Sequence, residues 1–130
     1  MKLNRADILN KTDLPKEEVF VPEWGGSVFV RALTAKERVI YEQAVITRNG
    51  KDVETNLEKA IALLVALTVV DEDGKRLFSN KDADELADKN ANALSKLYMV
   101  AVRMSSLAPE DVKELAENLK NAVKDGSNTL

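Results

Sequence analysis

Residues 57–70 read LEKAIALLVALTVV. No charge falls between Lys59 and Asp71, and Thr68 is the one polar residue of that interval. A surface helix keeps one polar face, so this run is expected to be a helix buried on most sides. It is too short to cross a bilayer, which takes about 20 apolar residues. The acidic DEDG at 71–74 ends it. The rest of the chain is expected to wrap around this helix, with Leu63, Leu64 and Leu67 among the most buried residues.

Upstream, residues 17–33 read EEVFVPEWGGSVFVRAL. Residues 18–21 and 28–30 are rich in Val and Phe, which favour a pleated surface. Pro22 and Gly25-Gly26 lie between them and supply a turn. Alternation places Val28 and Val30 on one face of this hairpin and Phe29 on the other. A lone hairpin is marginal in water, so one face is expected to pack on helices. Before it, the KTDLP of residues 11–15 breaks the chain. Leu3, Ile8 and Leu9 make at best one short helical turn after Asn4. No long apolar run precedes the first charges, so residues 1–9 are not expected to act as a signal peptide.

Thr34 and Glu37 have the spacing of a capping box. A helix is expected from there to about residue 47, with Val39, Ile40 and Ala44 inward. Asn49-Gly50 would end it in a left-handed cap, and the core helix would begin near residues 52–55. Downstream, VVDEDGKRLFSN at 69–80 reads as a short hairpin turned at Asp73-Gly74 or as a plain loop. A tight turn that folds Leu77 and Phe78 onto the core is preferred. Ser79 or Asn80 can cap a short helix over 81–89. A longer helix follows, carrying Leu94, Leu97, Tyr98, Ala101 and Met104 at helical spacing. Pro109 suits the first turn of a last helix, which Glu110 and Asp111 would complement electrostatically. Its apolar stripe is Val112, Leu115, Leu119 and Val123. The expected fold is α+β: one mostly helical domain over residues 1–124, an N-terminal β-hairpin packed on about five helices. A frayed tail at 125–130 would follow.

Composition narrows the function. The 130 residues carry 19 basic and 22 acidic side chains, a formal charge of −3, interleaved along the chain. No basic stripe suggests nucleic acid or an anionic membrane as partner. Cysteine and histidine are both absent, which removes thiol chemistry, His-based triads and the common zinc sites. Asp71, Asp73 and Gly74 invite a calcium reading. However, an EF-hand needs glycine sixth and glutamate twelfth, whereas here glycine comes fourth and Asp82 twelfth. Asp71, Glu72 and Asp73 are therefore expected to be solvated. Asp82, Asp84 and Glu85 alternate with lysines as a solvated helix face would. Gly25-Gly26 lacks the context of a phosphate loop. No catalytic, metal or cofactor site is expected, and the chain is not expected to be an enzyme. Two places could meet a partner: Trp24 at the hairpin turn, and the stripe of Val112, Leu115, Leu119 and Val123. For each, packing on its own domain is the preferred alternative. The aliphatic surplus also predicts self-association into a homo-oligomer.

Three stretches, in order, resemble a family. Residues 1–38 end in VPEWGGSVFVRALTAKER; residues 63–78 read LLVALTVVDEDGKRLF; residues 93–112 read ALSKLYMVAVRMSSLAPEDV. Together they look like the phage tail assembly chaperones of Bacillus-type and other Gram-positive prophages: a hairpin leading into a helix, an apolar helix with an acidic turn, and an acid-started last helix. The resemblance implies a protein of the host cell cytoplasm that binds the tape measure protein and keeps it soluble. It would assist tail tube assembly, with the tail tube protein as a further candidate partner, and be absent from the mature virion. A small structural or connector component of the tail or head is the alternative.

Overall fold

A computed structural model describes residues 1–49, 52–55 and 57–107, those at 46–49, 52–55 and 57–58 through the backbone alone. The elements among them are α1 (Arg5–Leu9), β1 (Lys16–Val21), β2 (Gly26–Arg31), α2 (Ala35–Val45), β3 (Ile46–Asn49), β4 (Asp52–Thr55), α3 (Leu57–Thr68), β5 (Val69–Val70), α4 (Ala83–Leu86) and α5 (Ala91–Met104). The helix-dominated α+β architecture is the one expected.

The apolar run forms α3, and residues 62–70 are buried without interruption. Leu63, Leu64 and Leu67 are 4%, 0% and 0% exposed. Helices α2, α4 and α5 surround α3. The run does not stay helical to residue 70, however. After Thr68, whose hydroxyl donates to the Leu64 carbonyl at 2.7 Å, Val69 and Val70 leave the helix as β5. Strand β5 pairs antiparallel with β2, matching Val70 to Phe29 and Val69 to Val30. Three successive β-branched residues favour extended backbone once an edge is offered. The sheet order is β1-β2-β5.

The N-terminal hairpin is longer than its sequence core. Pairing runs from Lys16 with Arg31 to Val21 with Gly26. Val19, Val21 and Val30 are buried. Helix α5 packs on both strands and on α3, so the inner face of the hairpin meets the core through α5. Val28 sits on this face and Phe29 on the other, as alternation required.

Residues 46–55 depart from the expected pattern. Helix α2 stops at Val45, and β3 and β4 pair antiparallel from Ile46–Thr55 to Asn49–Asp52. The core helix therefore begins at Leu57, not at 52–55, and the expected helix cap at Asn49 is a strand end. Asn-Gly between short β-branched segments is a strong hairpin signal, and it outweighs the helical pattern before it. Gly50 lies outside the described residues. Within α2, Val39 is 53% exposed, and Tyr41 and Val45 point inward instead. Ile40 and Ala44 are half-buried.

The segment after β5 is the tight-turn alternative. The Gly74 N–H donates to the Asp71 carbonyl, the Asp71 N–H to the Lys75 carbonyl, and Val70 bridges Arg76. Gly74 has φ +84°, a conformation glycine adopts without strain. Phe78 packs against the core, but Leu77 is 49% exposed and does not. The Ser79 N–H donates to Asp82, opening a 3-10 turn and then α4. Asn90 caps α5 by accepting from the Ala93 N–H. Its buried face is Ala93, Leu94, Leu97, Ala101 and Val102, with Tyr98 and Met104 half-buried. The expected last helix, its stripe, and the boundary between 124 and 125 lie outside the described residues.

Candidate functional site

The hairpin turn is built by its sequence. Pro22 opens a 3-10 turn over Pro22–Trp24, and Gly25 closes it with φ +70°, its N–H donating to the Pro22 carbonyl. That turn packs against α5. Trp24 is 37% exposed, so the indole is partly covered and partly offered. Phe20, on the outer face of β1, is 55% exposed. Its exposure follows from alternation with the buried Val19 and Val21.

Two cations of α5 fasten β1. The Lys96 ammonium donates to the Phe20 carbonyl at 2.6 Å, and Arg103 pairs with Glu17 at 2.6 Å. The Pro15 carbonyl accepts from the Ala32 N–H. Given antiparallel alternation, residues 16, 18 and 20 then turn their backbone groups to the open edge. Lys96 therefore occupies part of an edge that would otherwise be bare. Lys16 lies over the Phe29 ring at 4.8 Å from its centroid and donates to the Glu72 carbonyl, covering the base of the outer face. The tip keeps its aromatic surface.

The buried polar groups have structural partners. Arg31 forks onto Glu37 at 2.8 and 3.0 Å and also donates to the Ala32 carbonyl. Glu37 accepts from the Thr34 N–H while Thr34 accepts from the Glu37 N–H, the capping box the sequence contained. Burial alone would raise the Glu37 carboxyl. Arg31 and Thr34 outweigh it and hold the group below its ordinary value near 4.5. Burial first, and then the hydrogen bond with Tyr98, push the Tyr41 hydroxyl far upward, so it stays neutral. Arg76 donates twice to the Ala66 carbonyl, at 3.2 and 2.9 Å, and once to Asn80 at 2.8 Å. It thereby holds the end of α3 to the following turn. Neither Arg31 nor Arg76 was marked by any sequence spacing.

Asp71 spends one carboxylate oxygen on the Asp73 and Lys75 N–H groups, at 2.8 and 3.0 Å. Asp71 is half-buried, while Glu72 and Asp73 are exposed. Among the described residues no three acidic side chains converge on a point that could hold a metal ion. A cleft of 150 Å³ beside α3 is lined by Ile61, Ala62, Ala87 and Leu94, with Lys89 and Ser95 as its polar groups. No helix among the described residues is long and apolar enough to cross a membrane. The arrangement among the described residues is a packed core that includes Tyr41, beside a hairpin on which Phe20 and Trp24 keep exposed surface. Val112, Leu115, Leu119 and Val123 lie outside the described residues, so the structure does not bring them to Trp24 or apart from it.

A sequence profile of phage tail assembly chaperones matches residues 5–118. The chain belongs to the phage tail assembly chaperone family. It is similar in fold to the solved tail assembly chaperone of bacteriophage HK97. That likeness has a TM-score of 0.55 and 19% identity, covering 70% of this chain and 85% of that one. No curated protein sequence matches the chain.

Proposed function

We propose that this tail assembly chaperone binds the tape measure protein, keeps it soluble and assists tail tube assembly around it. The reading rests on the family match over residues 5–118. The physical features agree with it: the described core is mostly aliphatic with Tyr41 inside it, while Phe20 and Trp24 keep exposed surface at the hairpin. The proposed contact residues are Trp24 and the stripe Val112, Leu115, Leu119 and Val123, a helix-in-groove mode for the latter. The tail tube protein is a further proposed partner, and the proposed setting is the host cytoplasm, with loss before the virion is complete. No turnover is part of the role.

Co-expression with the tape measure protein tests this. The wild-type chain should keep the client in the soluble fraction. Leu115→Asp with Leu119→Asp should leave circular dichroism unchanged yet return the client to the pellet. Unfolding of that variant would make the stripe core, and Trp24→Ala then carries the test of the tip alone. Retention of the chain in purified virions would instead mark a structural connector component.

A further inference from the structure

Among the described residues, strand β1 is an edge of its sheet, with β2 on one side and no strand on the other. The bond from the Ala32 N–H to the Pro15 carbonyl sets the phase of the ladder, so residues 17, 19 and 21 bond to β2. The N–H groups of Lys16, Glu18 and Phe20 and the carbonyls of Lys16 and Glu18 face the open side. None of these has a partner among the described residues. The Phe20 carbonyl is taken by the Lys96 ammonium at 2.6 Å. Such an edge is a template for another strand, and proteins usually blunt it with a proline, a bulge or a cover. Here Pro15 and Pro22 lie just outside β1, its pairing with β2 has no bulge, and Lys96 covers one end. Of the charged side chains on the strand, Lys16 lies over the Phe29 ring and Glu17 is held by Arg103, which leaves Glu18.

Helix α5 supplies a floor beside this edge. Lys96 and Arg103 reach β1 at Phe20 and Glu17, so α5 runs along the strand in the opposite direction. From 96 to 103 the helix rises about 10.5 Å. From 17 to 20 the strand rises about 10 Å, so the two tethers are in step. Met99 stands three residues after Lys96 and four before Arg103, on the same helix face, and is 56% exposed. A thioether side chain is flexible and polarizable, and it adapts to varied partners. Helix α5 has no acidic residue, and once Glu17 offsets Arg103 the floor keeps the charge of Lys96. On the outer face Lys16 and Glu18 offset each other, as Lys11 and Asp13 do just before the strand. Glu23, in the turn beyond, pairs with no cation among the described residues. The charge preference beside Met99 is therefore for a carboxylate at Lys96.

We propose that the open edge of β1 binds an extended segment of a partner polypeptide, which adds a strand to the sheet. Its backbone pairs with the free N–H and carbonyl groups of Lys16 and Glu18 and with the Phe20 N–H. An apolar side chain of the segment rests on Met99, and a carboxylate two residues away, on the same face, meets Lys96. Main-chain hydrogen bonds carry the affinity, and Met99 with Lys96 gives a limited sequence preference. Such a site accepts many sequences, provided that the segment is unpaired and extended. The inference rests on the client reading in one respect: it names the state in which the client is held, an unpaired segment before assembly.

The probe is a synthetic peptide of about eight residues, a strand's length with its ends, blocked at both termini. It consists of threonines with a central leucine and, two places from it, one glutamate. Amide exchange of the full, isotope-labelled chain is followed by NMR with and without it. In the free chain the Glu18 and Phe20 amides should exchange fast, and the peptide should protect them. N-methylation of the peptide at one set of alternate amides should abolish binding, and at the other set should leave it. Glu18→Pro removes an N–H that the ladder to β2 does not use, so circular dichroism should stay unchanged. That variant, and separately Met99→Asp, should weaken binding about tenfold or more. Lys96→Glu should reverse the preference, favouring the same peptide with lysine in place of glutamate. If Glu18→Pro does not fold, the methylated peptides test the same bonds on the wild type. Absence of protection by the peptide overturns the proposal, as does binding indifferent to the set of amides methylated. Glu18 and Phe20 amides already protected in the free chain also overturn it. Protection that grows with protein concentration then gives the edge to a second copy, and constant protection gives it to this chain. A peptide that fails to bind, beside a wild type that keeps the tape measure protein soluble, sinks this inference alone. A peptide that binds as described, beside a client left insoluble, supports the edge and counts against the tape measure reading alone.

Discussion

Helices α1 and α3 stand at opposite limits of one molecule. In α1 no residue is buried, and its order comes from the reciprocal hydrogen bonds of Asn4 and Asp7. In α3 residues 62–68 are all buried, and its end is secured by Thr68 and by Arg76, ten residues beyond Ala66. One helix is defined by its own sequence and stabilised by almost nothing else. The other derives its stability from what surrounds it. The contrast fits an assembly factor, which needs a core indifferent to its surroundings and a peripheral element able to respond to them.

The sharpest way to break the comparison is to truncate a side chain in each helix. Leu64→Ala should lower unfolding stability by roughly 2–5 kcal/mol in a denaturant titration, the range for a buried leucine. Ile8→Ala in α1 should change it by less than about 0.5 kcal/mol. Similar losses for the two would erase the distinction.

Next in size is the Arg31–Glu37 pair, whose side chains are 9% and 13% exposed. Arg31→Met leaves Glu37 without its fork and should cost about 1–3 kcal/mol. The pH dependence has a definite sign. The Glu37 carboxyl is lowered in the folded state, so the unfolded chain takes up a proton first as pH falls. The contribution is fully present above the ordinary value near 4.5 and is lost as pH drops through the lower folded value. Thermal melts of the wild type and Glu37→Gln should therefore converge on acidification. Curves that stay parallel down to acid would show that the pair does not act as described.

Smaller still is Arg76→Ala, which frees the Ala66 carbonyl at the end of α3. About 1 kcal/mol is expected, because the guanidinium is only partly buried. The readout is faster hydrogen exchange at the Leu77 amide, which donates to the Val69 carbonyl next to Arg76. The smallest effect belongs to Asn4→Ala. Loss of the cap costs α1 about 1 kcal/mol of local helix stability. It should speed exchange of the Asp7 amide without moving the global melting point. A shift in the global midpoint would mean that α1 is coupled to the core.

Much of this molecule could be read along the chain. The reciprocal bonds of Thr34 and Glu37 start α2 where their spacing placed them, and Asn90 starts α5. Pro22 and Gly25 turn the first hairpin, and Val19 and Val21 alternate with an exposed Phe20. Of the candidate contact residues, Trp24 alone lies among the described ones. Trp24 was singled out as the only tryptophan in a turn, and its partial exposure was the undecided part. Phe20 could have been added from alternation alone. Arg31 could not, because a buried arginine in a strand shows no periodic signal until Glu37 folds against it.

The sequence by itself determined where α2 and α5 start and where the first hairpin turns, because caps and glycine turns act within a few residues of themselves. The tertiary structure alone decided where those segments cross over into something else. Val69 and Val70 continue the apolar run, yet become a strand because β2, forty residues earlier, offers them an edge at Phe29 and Val30. Val39 and Tyr41 are both fit for a core, and Tyr41 takes the interior, where it joins the core cluster and hydrogen-bonds Tyr98 on α5. Residues 52–55 could have begun a helix, but β3 was there to pair with them. In each case the local preferences differ by less than about 1 kcal/mol per residue, and a partner distant in sequence supplies the difference.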